Sequence, residues 1–130
     1  AAAEEAPLRR HHLAIFGDAD RPLEAAEAYD SALAGTDADD ERRASWLNNA
    51  AYALAIGSDD RADWARGLEM VDRALQTDPG DPNWLDTRGW LLCRLGRVDE
   101  GQESLARSLE LTEGEPSAEL TAHISDCRRD

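Results

Sequence analysis

The chain has 130 residues, of which 42% are hydrophobic, so it is long enough for one domain or a short stack of repeats and too short for two ordinary domains. A formal net charge of −14, with no Lys, excludes nucleic acid and anionic membrane surfaces as partners; it favours a basic partner or simply keeps the chain in solution. No apolar run reaches the roughly 20 residues of a membrane span, so we expect a soluble protein without membrane insertion.

Helix-forming segments separated by turn residues account for the whole chain. The segments are rich in Ala, Leu, Glu and Arg, and none alternates apolar and polar residues as a half-buried strand does. Asp81 before Pro82 indicates the start of a helix, and the last helix is predicted to begin at Pro116. The predicted helices, with ends uncertain by a few residues, cover about 4–16, 21–35, 41–56, 61–77, 82–95, 97–111 and 116–128.

Two of these segments are copies of each other. WLNNAAYAL (46–54) aligns without a gap with WLDTRGWLL (84–92), which places Tyr52 on Trp90. The helix that follows each segment repeats a pattern of small and large residues. Gly67, Val71, Ala74 and Leu75 match Gly101, Leu105, Ser108 and Leu109, and a third copy reads Ala25, Tyr29, Ala32 and Leu33. The chain is therefore built from repeated helix pairs.

The motifs LNNAAYAL, LDTRGWLLCRLGR, GLEMVDRALQTDP and GQESLARSLEL resemble the tetratricopeptide repeat (TPR) family, whose unit is a 34-residue antiparallel helix pair. The resemblance implies an all-α fold, a right-handed superhelical stack of three helix pairs closed by a capping helix. The units fall at about 4–35, 41–79 and 82–113, and the terminal helix at about 116–128. The first unit matches only in its second helix, and Glu113 stands where the family has Pro.

Small residues where the two helices of a unit cross let the backbones approach closely. Gly89 is predicted to be needed for this approach. Gly101 lies opposite, where the family usually has Ala, and is predicted to leave room for a methyl group. Because Gly costs about 0.5 to 1 kcal/mol relative to Ala within a helix, Gly101→Ala is expected to be neutral or stabilising.

The resemblance implies a protein–protein interaction module that binds a peptide or helical segment in a concave groove lined by the first helix of each pair. The family's groove-facing positions correspond here to Asn48, Tyr52, Ile56, Asp86, Trp90 and Arg94. Tyr52 and Trp90 are predicted to seat an apolar side chain. The alternative is that the terminal helix covers Trp90, and Trp90 covers Tyr52. Members that clamp a peptide carboxylate use Lys, Asn and Arg, and a chain without Lys does not fit that role.

Other roles stay open beside this one. The stack is alternatively a structural spacer or a self-associating segment of a larger polypeptide, so a monomer or a weak homo-oligomer is expected. It could also be an auxiliary domain of a longer enzyme or export component. The start of the chain, AAAEEAP without Met, is expected of a trimmed chain, a fragment or a processed mature form. Cytoplasm and periplasm are both compatible with the sequence.

No motif indicates an enzyme, a cofactor or a metal site. The sequence has no nucleophile elbow, Walker loop or GxGxxG. His11 and His12 are adjacent, so on a helix they point about 100° apart and are poorly placed to share one ion. The acidic runs at 37–40 and 58–60 do not continue into an EF-hand loop.

Two cysteines, Cys93 and Cys127, are too few for a disulfide framework. In the repeat register they fall on the first helices of neighbouring units and face roughly the same side, so a single disulfide is possible in an oxidising compartment. The favoured interpretation is that the two cysteines are separate small thiols, buried or half-buried.

Overall fold

The computed structural model describes residues 41–128 together with Glu24. Every regular element within 41–128 is an α-helix, which confirms the all-α class. The helices are α1 (Glu41–Gly57), α2 (Arg61–Thr77), α3 (Pro82–Arg94), α4 (Val98–Leu111) and α5 (Ala118–Asp126). Their ends differ from the predicted ones by no more than a few residues. The helix predicted at 4–16 lies outside the described residues, and of the helix predicted at 21–35 only Glu24 is described, in a helical conformation.

The helices pack in consecutive pairs. α1 packs along α2, and α3 packs along α4, which are the two most extensive helix contacts in the described part of the chain. α3 also contacts α2 and α1, so the second pair lies against the first. The last helix, α5, packs on α4 and α3. The described chain is therefore two helix pairs followed by one further helix.

Side-chain caps define where three of the helices begin. Asp60 accepts a hydrogen bond from the backbone N–H of Ala62 at the start of α2, and Asp81 accepts hydrogen bonds from those of Asn83 and Trp84 at the start of α3. These bonds satisfy backbone N–H groups that the first helical turn leaves without partners. The predicted start of the last helix at Pro116 shifts slightly, because Ser117 is the capping residue and α5 starts at Ala118.

Apolar side chains between the two pairs form the main core. Its fully buried members come from α1, α2 and α3, and the largest of them are Leu54, Val71, Leu91 and Leu92. A second, smaller cluster of Leu105, Leu120 and Cys127 attaches α5 to α4. Of the helices that the structure describes, none combines the length and the apolar character that crossing a membrane requires.

The crossing of α3 and α4 corrects one expectation from the sequence. A Cβ added at Gly89 would lie 2.6 Å from Cγ of Leu105, as the predicted close approach requires. A Cβ added at Gly101, however, would lie 2.5 Å from Sγ of Cys93 and 2.9 Å from the carbonyl oxygen of Gly89. The prediction of room for a methyl group at Gly101 is wrong, because both backbones are already in contact there.

Two serines of α4 tighten the same interface. Ser104 donates a hydrogen bond of 2.8 Å to the carbonyl oxygen of Leu85, and Ser108 donates one of 2.6 Å to that of Pro82. Both serines are buried, so these bonds offset the cost of removing their hydroxyl groups from water. Together with the two glycines, they fix how α4 lies along α3.

Candidate functional site

The candidate site is the side of α1 and α3 that carries the six residues predicted to face a groove, here called the α1–α3 face. Within each helix the three predicted residues are four apart, so they lie along one side of that helix. They are Asn48, Tyr52 and Ile56 on α1, and Asp86, Trp90 and Arg94 on α3. Part of this face is covered by α5.

His123 of α5 joins two of the predicted residues. Its ring stacks on that of Trp90, with centroids 4.6 Å apart and planes 14° from parallel. Its Nδ1 lies 2.7 Å from Oδ1 of Asp86, a hydrogen-bond distance. His123 and Asp86 are each only 8% exposed. The imidazole therefore contacts both a carboxylate and an indole, and it is buried together with the carboxylate, while Trp90 is half-buried.

Glu119, one turn earlier on α5, reaches the first helix pair. The hydroxyl of Tyr52 donates a hydrogen bond to its Oε2 atom. This bond connects α5 to α1, so the terminal helix spans both pairs rather than the second pair alone. Tyr52 remains half-buried, and Glu119 is exposed.

Cys127 follows α5 and closes it onto α3 through a disulfide with Cys93, with the two Cα atoms 5.5 Å apart. The favoured interpretation, two separate thiols, is therefore wrong. The structure contains the disulfide that the sequence left open as the alternative. Gln102 of α4 supports this end of α5 by donating a hydrogen bond of 2.8 Å to the carbonyl oxygen of Cys127. The terminal helix is held covalently at one end and by polar contacts along its length.

The residues of the terminal helix that make these contacts share a regular spacing in the sequence, which is not part of the repeat pattern. Glu119, His123 and Cys127 are four residues apart, so they form one stripe along the terminal helix, and each meets a residue of α1 or α3. Because the stripe is polar, a search for apolar periodicity does not detect it. The spacing of four shows that the three residues share one side of the terminal helix, but it does not show that this side meets α1 and α3.

The guanidinium group of Arg94 contacts other parts of the protein. Its guanidinium donates a 2.9 Å hydrogen bond to the carbonyl oxygen of Ala55 and a longer one to that of Ser58. The same group lies 4.3 Å from the ring centroid of Trp64, a cation–π distance. Arg94 thus ties α3 to the C-terminal end of α1 and to the start of α2.

Asn48 and Ile56 lie on the same side of α1 as Tyr52 but differ in exposure. Ile56 is 38% exposed, a large fraction for an isoleucine. The Oδ1 atom of Asn48 is buried and accepts no hydrogen bond in the part of the chain that the structure describes. A buried acceptor of this kind is uncommon, because leaving it unpaired costs about 1–3 kcal/mol.

The chemistry of the covered part is that of an acidic, hydrogen-bonded cluster. Asp86, Glu119 and His123 each offer one ligand atom, and these atoms lie within 4.8 Å of one another. An exposed ion pair lies apart from this cluster, at the start of α4. There a hydrogen bond from Arg97 lowers the pKa of Glu100, and the same bond raises the pKa of Arg97.

Comparison with solved structures finds a clear likeness in fold. No protein-family model matches the chain, and no curated protein matches it. Among solved structures, the chain is similar to the second TPR domain of the human RPAP3 protein, determined by NMR in complex with the HSP70 peptide SGPTIEEVD. The two are 17% identical and superpose with a TM-score of 0.73 over 99% of this chain and 98% of the other. The chain therefore has a TPR-like fold, as its repeated motifs predict.

Proposed function

We propose that this protein is an interaction module that binds a helical or extended segment of a partner protein on the α1–α3 face. The observation that carries the proposal is the position of α5. Its side chains meet the face through a stacked ring at Trp90, a carboxylate contact at Asp86 and a phenol contact at Tyr52. These are the types of contact, aromatic and polar, with which interfaces anchor a bound segment.

The likeness to the RPAP3 domain supports the same general role, because that domain is bound to a peptide. We expect the partner of this chain to differ in charge from that peptide. The peptide SGPTIEEVD has acidic residues and no basic one. The α1–α3 face carries Asp86, Glu119 lies over it, and the whole chain has a net charge of −14. Electrostatic complementarity therefore favours a segment rich in Arg or Lys.

A partner segment on this face competes with α5 for Asp86 and Trp90. The disulfide keeps α5 close to these residues, so the oxidised protein has a high local concentration of its own competing helix. Reduction removes the covalent tie and leaves only the non-covalent contacts of α5. We expect partner binding to be tighter in the reduced protein than in the oxidised one, because a larger fraction of molecules then exposes the site.

The test is a selection of Arg-rich and Lys-rich peptides from a displayed library on the reduced protein, followed by calorimetric titration of one selected peptide. Tyr52→Ala and Trp90→Ala are each expected to weaken binding by about 2 kcal/mol or more, as interface anchors do. Glu103→Ala, an exposed substitution on α4, serves as the control and should leave affinity unchanged.

Amide chemical shifts of the protein then locate the bound peptide. Shifts along α1 and α3 support the proposal. Shifts confined to the second helices, around Glu69, Arg73 and Glu103, would place the peptide on the opposite side and overturn it. Equal affinity for the oxidised and reduced protein would show that α5 and the peptide do not compete.

A further inference from the structure

The cluster beneath α5 has the composition of a metal site. It contains one imidazole and two carboxylates, from His123, Asp86 and Glu119, with ligand atoms within 4.8 Å of one another. We propose that these three residues bind a divalent metal ion of the zinc type, which ties the terminal helix to α3. The inference does not depend on whether a partner segment binds the α1–α3 face.

The backbone arrangement suits a shared ion. Glu119 and His123 are four residues apart on α5, so their side chains lie one above the other on the same side of the helix. Asp86 comes from α3, which packs against α5. Two ligands from one helical turn and a third from a neighbouring helix are a common way to build a metal site between helices.

Neighbouring side chains hold two of the ligands in orientation. The Tyr52 hydroxyl donates to Oε2 of Glu119, which leaves Oε1 for an ion. Trp90 stacks on the His123 ring and restricts its rotation. Contacts of this kind from outside the ligand set orient the ligands of metal sites, and their loss typically costs 10–100-fold in affinity.

The three ligand atoms, which lie within 4.8 Å of one another, must shift to reach the spacing that a tetrahedral ion requires. Nδ1 of His123 and Oδ1 of Asp86 are 2.7 Å apart. Two ligands of a tetrahedral ion with bonds of about 2.0–2.1 Å lie roughly 3.3 Å apart. The ion thus takes the place of the hydrogen atom between the two atoms, and the pair separates by about 0.6 Å, the difference between these two distances. Glu119 is exposed, so a water molecule can complete the coordination from the open side.

The ligand set and its surroundings select the class of ion. A mixed set of imidazole nitrogen and carboxylate oxygen suits Zn²⁺ and similar transition metals, whereas Mg²⁺ and Ca²⁺ prefer oxygen ligands alone. Two carboxylates beside one imidazole, in a chain with a net charge of −14, also attract a divalent cation. A bound ion joins α5 to α3 at Asp86, while the disulfide joins them at Cys93.

The experiment titrates the oxidised full chain with Zn²⁺ alone and follows the heat of binding. His11→Gln and His12→Gln are introduced together as the background, so that adjacent N-terminal histidines do not contribute. The oxidised state ensures that neither cysteine is a free thiolate ligand. We expect one Zn²⁺ per chain, with the imidazole NMR signals of His123 shifting as the ion is added.

Matched variants decide whether the three residues are the ligands. Glu119→Gln, at an exposed position, is expected to lower the affinity for Zn²⁺ at least about tenfold, and His123→Gln to abolish binding. Asp126→Asn removes the same charge from the same helix, at an exposed position outside the cluster, and should bind as the parent does. Zn²⁺ should raise the melting temperature of the parent and of Asp126→Asn much more than that of Glu119→Gln.

Three results would overturn the site. One is a titration of the parent without saturable binding. The second is equal affinity in Glu119→Gln and Asp126→Asn. The third is binding that leaves the imidazole signals of His123 unmoved. If His123→Gln fails to fold, the comparison of Glu119→Gln with Asp126→Asn still decides the question, because both substitutions are on the exposed surface of α5.

Discussion

His123 stacks on Trp90 with ring centroids 4.6 Å apart, and the same imidazole lies 2.7 Å from the carboxylate of Asp86. One side chain of the terminal helix therefore covers an aromatic residue and satisfies a buried acid of α3. The two residues of α3 were predicted to face a partner, and the contact makes their accessibility depend on α5.

Removing this imidazole should destabilise the protein. His123→Ala leaves the buried carboxylate of Asp86 without its partner, which costs about 1–3 kcal/mol. Urea unfolding monitored by circular dichroism measures the change in the free energy of unfolding. Ser125→Ala, an exposed position on the same helix, serves as the control and should change it by less than about 0.5 kcal/mol. Equal effects of the two substitutions would show that the contact with Asp86 contributes no stability.

Adding a methyl group at Gly101 should also destabilise the protein. The new Cβ would lie 2.5 Å from Sγ of Cys93 and 2.9 Å from the carbonyl oxygen of Gly89, so α3 and α4 must move apart. We expect Gly101→Ala to cost about 1–3 kcal/mol despite the higher helix propensity of Ala. Thermal and urea unfolding measure the cost.

An exposed site on the same helix separates the packing effect from the propensity effect. Ala106→Gly should cost about 0.5–1 kcal/mol, through propensity alone. A Gly101→Ala protein as stable as the parent would contradict the close approach of the two backbones at this position.

Reduction of the disulfide should loosen α5 before the rest of the protein. The bond closes a loop between residues separated by 34 positions, for which the chain-entropy model gives about 3–4 kcal/mol of stabilisation. Amide hydrogen exchange in the oxidised and reduced protein should show faster exchange in α5, while the amides around Leu54 and Leu91 keep most of their protection. Uniform loss of protection over α1 to α5 would contradict a local tie.

Substitution of Arg94 should affect stability more than partner binding. Its guanidinium donates to the carbonyl oxygens of Ala55 and Ser58 and lies over Trp64. We expect Arg94→Met to cost about 1–3 kcal/mol in urea unfolding, because it leaves carbonyl groups of α1 and the following loop without this donor. Arg94→Lys should recover only part of the loss, since an ammonium group cannot make the same planar contacts. If Arg94→Lys were as stable as the parent, the positive charge of Arg94 alone would account for its contribution to stability.

The helices and their pairing follow from local features of the sequence. Asp81 and Pro82 mark a helix start by capping and by a fixed backbone angle, both of which depend on adjacent residues only. The alignment of Tyr52 with Trp90 indicates a repeat, and repeated helix pairs have few ways to bury their apolar sides. Because these constraints are local or periodic, the sequence alone determined the α-helical class, the helix ends to within a few residues and the TPR-like fold.

The tertiary structure alone decided what covers the α1–α3 face. The path of residues 112–117 between α4 and α5 determines whether the stripe of Glu119, His123 and Cys127 points to the face or away from it, and no periodic pattern reports that path. The same holds for Gly101, where the space for a methyl group depends on a contact between two helices to within tenths of an ångström. Contacts between residues far apart in the chain depend on the angle at which helices meet, and that angle is a property of the packed core.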